Sequence, residues 1–305
     1  MAAHLAVSLL HLGLSASPRC GSAGELVGAS GRIGSLLLRS AGGTLAAVPR
    51  GLTPGSLSEA GTPIVVTTPA DALHDLLVAT PEHRWADLVL LCNGLARERV
   101  AEVLGAEAAA GVTAGCLFFG VLQPGAAPTF GGAAPATTLA GPHAATVAAL
   151  IERTGPRCEV LPYLSALEPV AQLKMVWSSA LWLVCAARGC TVSEAHAAPH
   201  GAELTRLVDE LLRECGPALS SASMTAAAHD GDAGAATHAA HDGGARASAA
   251  AAADDDDARA ATHAALRAYS ESMPDVVPSA ALATGELAER NGWFVRAAAA
   301  AGRAQ

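Results

Sequence analysis

The sequence predicts an α/β chain in two parts, an N-terminal parallel sheet covered by helices and an all-helical C-terminal region. Three observations predict it. A β-like run at Leu26-Val27 ends in Gly28-Ala29-Ser30-Gly31-Arg32-Ile33-Gly34 and opens a helix. From Glu25 to Pro162 short apolar runs alternate with short amphipathic helices, the pattern of strands joined by helical crossovers. Beyond Pro162 the strand signals stop and apolar residues recur at helical spacing. The resulting divisions are an extension over 1–23, a dinucleotide-binding sheet domain over 24–162, and a helical substrate and dimerisation domain over 163–305.

In chain order, a helix is expected over 33–40 and a second strand over 44–48, ending beside Arg50. A third strand over 64–68 leads to a helix over 71–79, and a fourth over 88–92 stops at Asn93-Gly94. A helix over 98–110 precedes a β-like run over 112–121. Residues 137–140, a helix over 143–153 and residues 158–161 close the domain. The helical part begins with one run over 167–188, where Leu173, Val176, Trp177, Ala180, Leu181 and Val184 share helical spacing. A second helix over 203–215 is stopped by Gly216-Pro217. Residues 220–257 are Ala, Gly, His and Asp without a large apolar residue after Met224, so they read as a disordered insertion. Helix resumes over 258–272, and a last helix follows Pro278 and runs through Glu286.

Composition narrows the function. At 305 residues the chain has room for two domains. With 3% aromatics, the core must be built mostly from Leu, Val and Ala. A net charge of −9 argues against nucleic acid, whose binding relies on cationic contacts to phosphate. The seven cysteines include no C-x-x-C pair, and Cys92, Cys116 and Cys185 fall in apolar runs; reduced thiols of an intracellular protein are expected. The longest apolar run, 176–187, is short for a membrane span, and no membrane partner is expected. Residues 1–23 lack acids and are rich in Ala and Ser, which resembles an organelle transit peptide; an unprocessed extension is the alternative. Localisation is thus read as cytoplasmic or chloroplast.

The glycine turn carries the first chemistry. Its spacing, G-x-x-G-x-x-G, is one residue longer than the commonest dinucleotide fingerprint. In such a turn the glycines let a pyrophosphate approach the N–H groups at a helix N-terminus. Gly28, Ser30, Gly31, Arg32, Ile33 and Gly34 are the candidate contacts, with Thr67 and Thr68 at the end of the third strand, in a Rossmann-type domain. At the end of the second strand Arg50 stands where NAD-specific folds place an acid, and a guanidinium can pair with a 2′-phosphate. NADP is therefore favoured over NAD; a solvated loop arginine is the plain alternative. Asn93-Gly94 ends a strand where open parallel sheets hold ligands, although a simple turn has the same composition. Lys174 is the sole lysine of the chain and sits in an apolar helix, as a general acid or as a side chain snorkelling from the helix edge.

Taken in order, Gly28/Gly31/Gly34, Asn93-Gly94, Lys174, Ser272-Met273 and Glu286 ahead of Asn291-Gly292 resemble ketopantoate reductase (2-dehydropantoate 2-reductase) and relatives of it in photosynthetic organisms. Thr80-Pro81, Trp85, Asp87-Leu88-Val89 and Arg290-Asn291-Gly292-Trp293-Phe294 add to the likeness, which covers residues 25–215 and 262–295. The resemblance implies an NADP-dependent oxidoreductase acting on a CH-OH/C=O centre, with a small 2-keto acid-like substrate and a C-terminal domain like that of 6-phosphogluconate dehydrogenase. It implies that Lys174, Glu286 and Asn93 are catalytic: Lys174 protonates the developing alkoxide and Asn93 positions Lys174 and cofactor. Glu286, with Ser178 and Ser272, would hold the substrate. The chain departs from the family at 178 and 182, where substrate-binding asparagines are replaced by Ser178 and Trp182.

Other readings carry less. A non-catalytic dinucleotide-binding or scaffold protein would suit the lost asparagines. The turn also resembles that of extended short-chain dehydrogenases, but neither Tyr163 nor Tyr269 has a lysine four residues on. His196 and His200 have the spacing of helical zinc ligands, yet Pro199 disrupts the helix that would align them, and no metal site is expected. The chain has no G-x-S-x-G of a hydrolase. An alanine-rich helical domain makes a homodimer the expected assembly.

Overall fold

A computed structural model describes residues 23–131, 134–215, 259–278 and 291–300. Its strands are β1 (Gly24–Val27), β2 (Leu45–Ala47), β3 (Ile64–Val66), β4 (Leu88–Leu90), β5 (Thr113–Cys116), β6 (Thr137–Ala140) and β7 (Cys158–Leu161). They form one sheet in the order β2-β1-β3-β4-β5-β6-β7. Successive residues of a strand face opposite sides. Val65 thus joins the core beneath α1 (Arg32–Ser40) and α5 (Ala144–Glu152), with Leu36, Leu37, Val147 and Ile151. Ile64 and Val66 join the opposite core, formed with α2 (Leu73–Ala79) and α3 (Ala96–Leu104) through Leu73, Leu77 and Val100. Burial on both faces is why these strands read as unbroken apolar runs.

Three local features differ from the sequence expectation. The sheet is parallel except at β5–β6, which is antiparallel. No helix forms among the described residues between those strands, so the chain returns without a crossover. The helix expected over 98–110 is two, α3 and α4 (Ala106–Gly111), separated by Gly105 at φ 96°, outside the helical range. The β-like run over 112–121 pairs as a strand only over 113–116; Leu117 and Phe119 then enter one core and Phe118 another.

The helical region is organised by α6 (Leu167–Arg188), which ends at left-handed Gly189. Leu173, Met175, Val176, Trp177, Ala180, Leu181, Val184 and Cys185 are all buried, so more than one face of α6 is covered. The stretch Leu164–Arg188 is long and apolar enough to cross a membrane, but 56% of its most apolar window is buried inside the molecule, as in a core helix. Around it lie α7 (Val192–Ala195), opened by a Thr191–Glu194 capping box, α8 (Gly201–Cys215), α9 (259–270) and α10 (Asn291–Ala300). Phe118 meets Tyr269 edge-on at 5.1 Å, joining the end of β5 to the helical core. Cys92, Cys116, Cys158, Cys185 and Cys190 are free thiols.

The connection from β2 to β3 has no helix and is held by buried charge instead. Glu25, fully buried in β1, accepts from the N–H groups of Gly55 (2.7 Å) and Leu57 (2.6 Å) and from Ser58 Oγ (3.0 Å). Arg84, 1% exposed, donates to Asp87 (2.6 Å) and to the carbonyls of Ser58 (2.8 Å), Thr62 (3.2 Å) and Gly55. Asp87 in turn accepts from Gly61 N–H. Both carboxylates sit at or before the starts of their strands, so this clamp lies at the sheet edge opposite the glycine turn. In the helical core, His196 Nε2 lies 2.7 Å from Ser270 Oγ, which also accepts from Trp177 Nε1 at 2.8 Å. Burial, reinforced by Arg267 and His263, holds the His196 ring below its ordinary pKa.

Two outcomes follow for stability. Arg84→Met, measured by urea unfolding, is expected to cost about 3–5 kcal/mol, because the buried Asp87 carboxylate loses its guanidinium partner; adding Asp87→Leu recovers part of it. Since the folded-state pKa of His196 is depressed, the unfolded chain takes up a proton first. Stability is therefore lost as pH falls below the ordinary value of 6.5, and that loss shrinks in His196→Gln.

Candidate functional site

Parallel strands deliver all their strand-to-helix turns to one sheet edge. The strand order reverses between β1 and β3, which makes a crevice there. The glycine turn follows β1, Thr67-Thr68 follow β3, and Asn93-Gly94 follows β4 one strand over. Gly28 takes φ 84°, and Gly31 N–H donates to Gly28 O at 2.9 Å, closing the turn. A Cβ on Gly34 would stand 2.1 Å from Gly28 O, so only glycine lets α1 approach this closely. Thr67 Oγ1 donates to Val27 O at 2.9 Å and fixes the turn against β3.

The cradle above this turn suits a nucleotide phosphate. Gly31 caps α1 without a side-chain hydrogen bond and no acid stands in the first turn, which leaves the positive helix end open to an anion. Thr68 Oγ1 is buried without a hydrogen-bond partner among the described residues. Ser30, Arg32 and Arg50 are exposed at the rim. Ile33 packs into the core beneath, so its backbone, not its side chain, faces the crevice. These donors and cations fit a dinucleotide.

The second part of the site is a cleft between the β4 and β5 ends and α6. Gly94, at φ 82°, turns the chain so that Asn93 lies in its wall. Lys174 comes from α6, and its Nζ donates to Asn93 Oδ1 at 3.3 Å. Ser178 lies one turn further along the same wall; its hydroxyl donates to Met175 O at 3.2 Å. Trp182 packs edge-on to Trp177, with ring centroids 4.9 Å apart. Burial pushes the Cys116 thiol up to about 11, opposed by the charge of Lys174. Ser272 is outside the lining of this cleft: it is buried and donates to Tyr269 O at 2.6 Å. Glu286 lies outside the described residues, as do 1–22 and the expected insertion.

The structure adds residues that the sequence reading did not single out. Arg97, at the start of α3, forms an ion pair with Glu168 of α6, and both line the cleft. Glu98 beside it accepts from Trp293 Nε1 of α10 at 3.0 Å, and burial raises its carboxyl above the ordinary range. Their closeness to Asn93-Gly94 was the only signal in the sequence. Their partners, Glu168 and Trp293, are far along the chain.

No protein-family model matches the chain, and none of the curated proteins is similar to it in sequence. Solved structures are similar in fold. A PanE/ApbA family ketopantoate reductase from Ralstonia eutropha JMP134 is 14% identical, covers 92% of each chain and has a TM-score of 0.55. A dimeric ketopantoate reductase from Staphylococcus aureus is 11% identical over 92% of each chain, TM-score 0.55. D-mandelate dehydrogenase, in a ternary structure with NADH and anilino(oxo)acetate, is 13% identical over 92% of this chain and 93% of its own, TM-score 0.57. The resemblance to ketopantoate reductase read from the ordered motifs thus holds at the level of the fold: a Rossmann-type sheet followed by a helical region, shared with these oxidoreductases.

Proposed function

We propose that this protein is an NADP-dependent oxidoreductase that reduces the carbonyl of a small 2-keto acid. The observation that carries the proposal is the Lys174–Asn93 hydrogen bond, in a cleft two strands along the sheet from the glycine turn. The fold shared with ketopantoate reductases and D-mandelate dehydrogenase supports the reaction class.

The backbone N–H groups of the 28–34 turn would hold the pyrophosphate, with Arg32 and the Thr68 hydroxyl beside it and Arg50 pairing with the 2′-phosphate. NADPH, when bound, supplies the hydride for the carbonyl carbon. Lys174 carries the proton for the carbonyl oxygen: its ammonium donates as negative charge gathers there. Asn93 Oδ1 accepts from Lys174 Nζ and fixes its direction, which shortens the search for a productive geometry. The apolar wall, with Leu95, Leu167 and Met175, limits water around these groups.

Calorimetric titration with NADPH and NADH tests the cofactor. NADPH is expected to bind more tightly, the preference to vanish in Arg50→Ala, and the affinity to survive in Lys174→Ala. Gly34→Ala should weaken NADPH binding by about tenfold or more, as the methyl group forces α1 off Gly28. In NADPH oxidation with a panel of 2-keto acids, Lys174→Ala should lower kcat by about 10²–10⁴-fold. Absence of binding of either nucleotide to the wild-type protein would remove the enzyme reading.

A further inference from the structure

Arg97 is placed by one ion pair and carries one unmatched N–H. Its Nη1 is paired with Glu168, which reaches across from α6. Its Nε is buried and has no hydrogen-bond partner among the described residues. The guanidinium is a rigid fork, so holding one terminal nitrogen fixes where the other N–H groups point. An enclosed N–H without an acceptor is costly, and an acceptor supplied by a ligand relieves that cost.

We propose that Arg97 binds the carboxylate of the substrate and that the cleft selects 2-keto monocarboxylates with an apolar side chain. This rests on the oxidoreductase reading given above. A 2-keto acid carries a carbonyl next to a carboxylate, and the cleft offers two cations in its wall, Lys174 for the first and Arg97 for the second. A carboxylate on the Nε edge of a guanidinium accepts a charge-assisted bond, of the kind that gives both strength and direction. The other ionisable groups lining the cleft besides Cys92 and Cys116 are Glu98 and Glu168, both acidic. A second carboxylate at the far end of the substrate would meet them, while Leu95, Leu164, Leu167 and Met175 offer an apolar surface. Ser178 adds little competition for the carboxylate, because its hydroxyl is directed to Met175 O.

The test uses the full chain with NADPH and three five-carbon-chain probes: 2-oxopentanoate, its ethyl ester and 2-oxoglutarate. Wild type should favour 2-oxopentanoate over the ester by about a hundredfold or more in kcat/KM, because a site built to bind a polar group rejects an analogue that cannot satisfy it. It should favour 2-oxopentanoate over 2-oxoglutarate as well. In Arg97→Gln the preference for acid over ester should fall to about tenfold or less, with NADPH affinity unchanged. Arg97→Lys keeps a charge opposite Glu168, and should lose the preference likewise if the fork itself is what binds. Binding of N-propyloxamate to the NADPH complex, read by calorimetry and independent of turnover, should disappear in both variants. If NADPH binds and 2-oxopentanoate is reduced but both variants keep the preference and the oxamate affinity, the assignment of Arg97 is overturned while the oxidoreductase reading stands. Equal use of 2-oxoglutarate overturns the apolar selectivity. A wild-type protein that does not bind NADPH overturns both readings together.

Discussion

The structure depends on the docking of α6 against the sheet edge. This helix is core on several sides at once, and Trp177, Leu181 and Val184 hold it in the helical region while Lys174 points toward the strands. Lys174 and Asn93 are 81 residues apart in the chain, and their contact exists only because α6 cannot shift without opening that core. The Arg97–Glu168 pair crosses the same boundary. A flexible ammonium is thus given one place to go by a rigid helix and one acceptor by a tight turn.

The two ends of the sheet divide the work between them. At the starts of the strands, Glu25, Arg84 and Asp87 are buried and saturated with backbone and side-chain partners, which ties down a connection that has no helix of its own. At the strand ends the Thr68 hydroxyl and the Arg97 Nε are enclosed without a hydrogen-bond partner among the described residues, as are Ser179 Oγ and Asn291 Oδ1 in the helical region. Buried polar groups are ordinarily paired. The edge at which Thr68 and Arg97 lie is the one where open α/β sheets bind ligands.

The glycines show how closely backbone geometry sets the crevice between β1 and β3. Gly28 needs its left-handed φ for the chain to leave β1, and Gly34 needs to lack a Cβ for α1 to reach Gly28. That close contact is what aims the helix N-terminus at the crevice.

The sequence by itself determined the alternation of strand and helix, the glycine turn, the Asn-Gly at the end of the fourth strand and the apolar helix carrying the only lysine. Each depends on local period or on a residue whose backbone freedom is local, such as Gly28 or Gly94. The sequence did not reveal the break at Gly105, since a single glycine in a helical pattern is often tolerated. Nor did it reveal the antiparallel turn into β6, which depends on the absence of a crossover helix. Tertiary structure alone decided that Lys174 meets Asn93 and that Arg97 and Glu168 pair across the cleft. These are contacts between residues distant in the chain, set by how α6 packs, and no local pattern records the packing of one element against another.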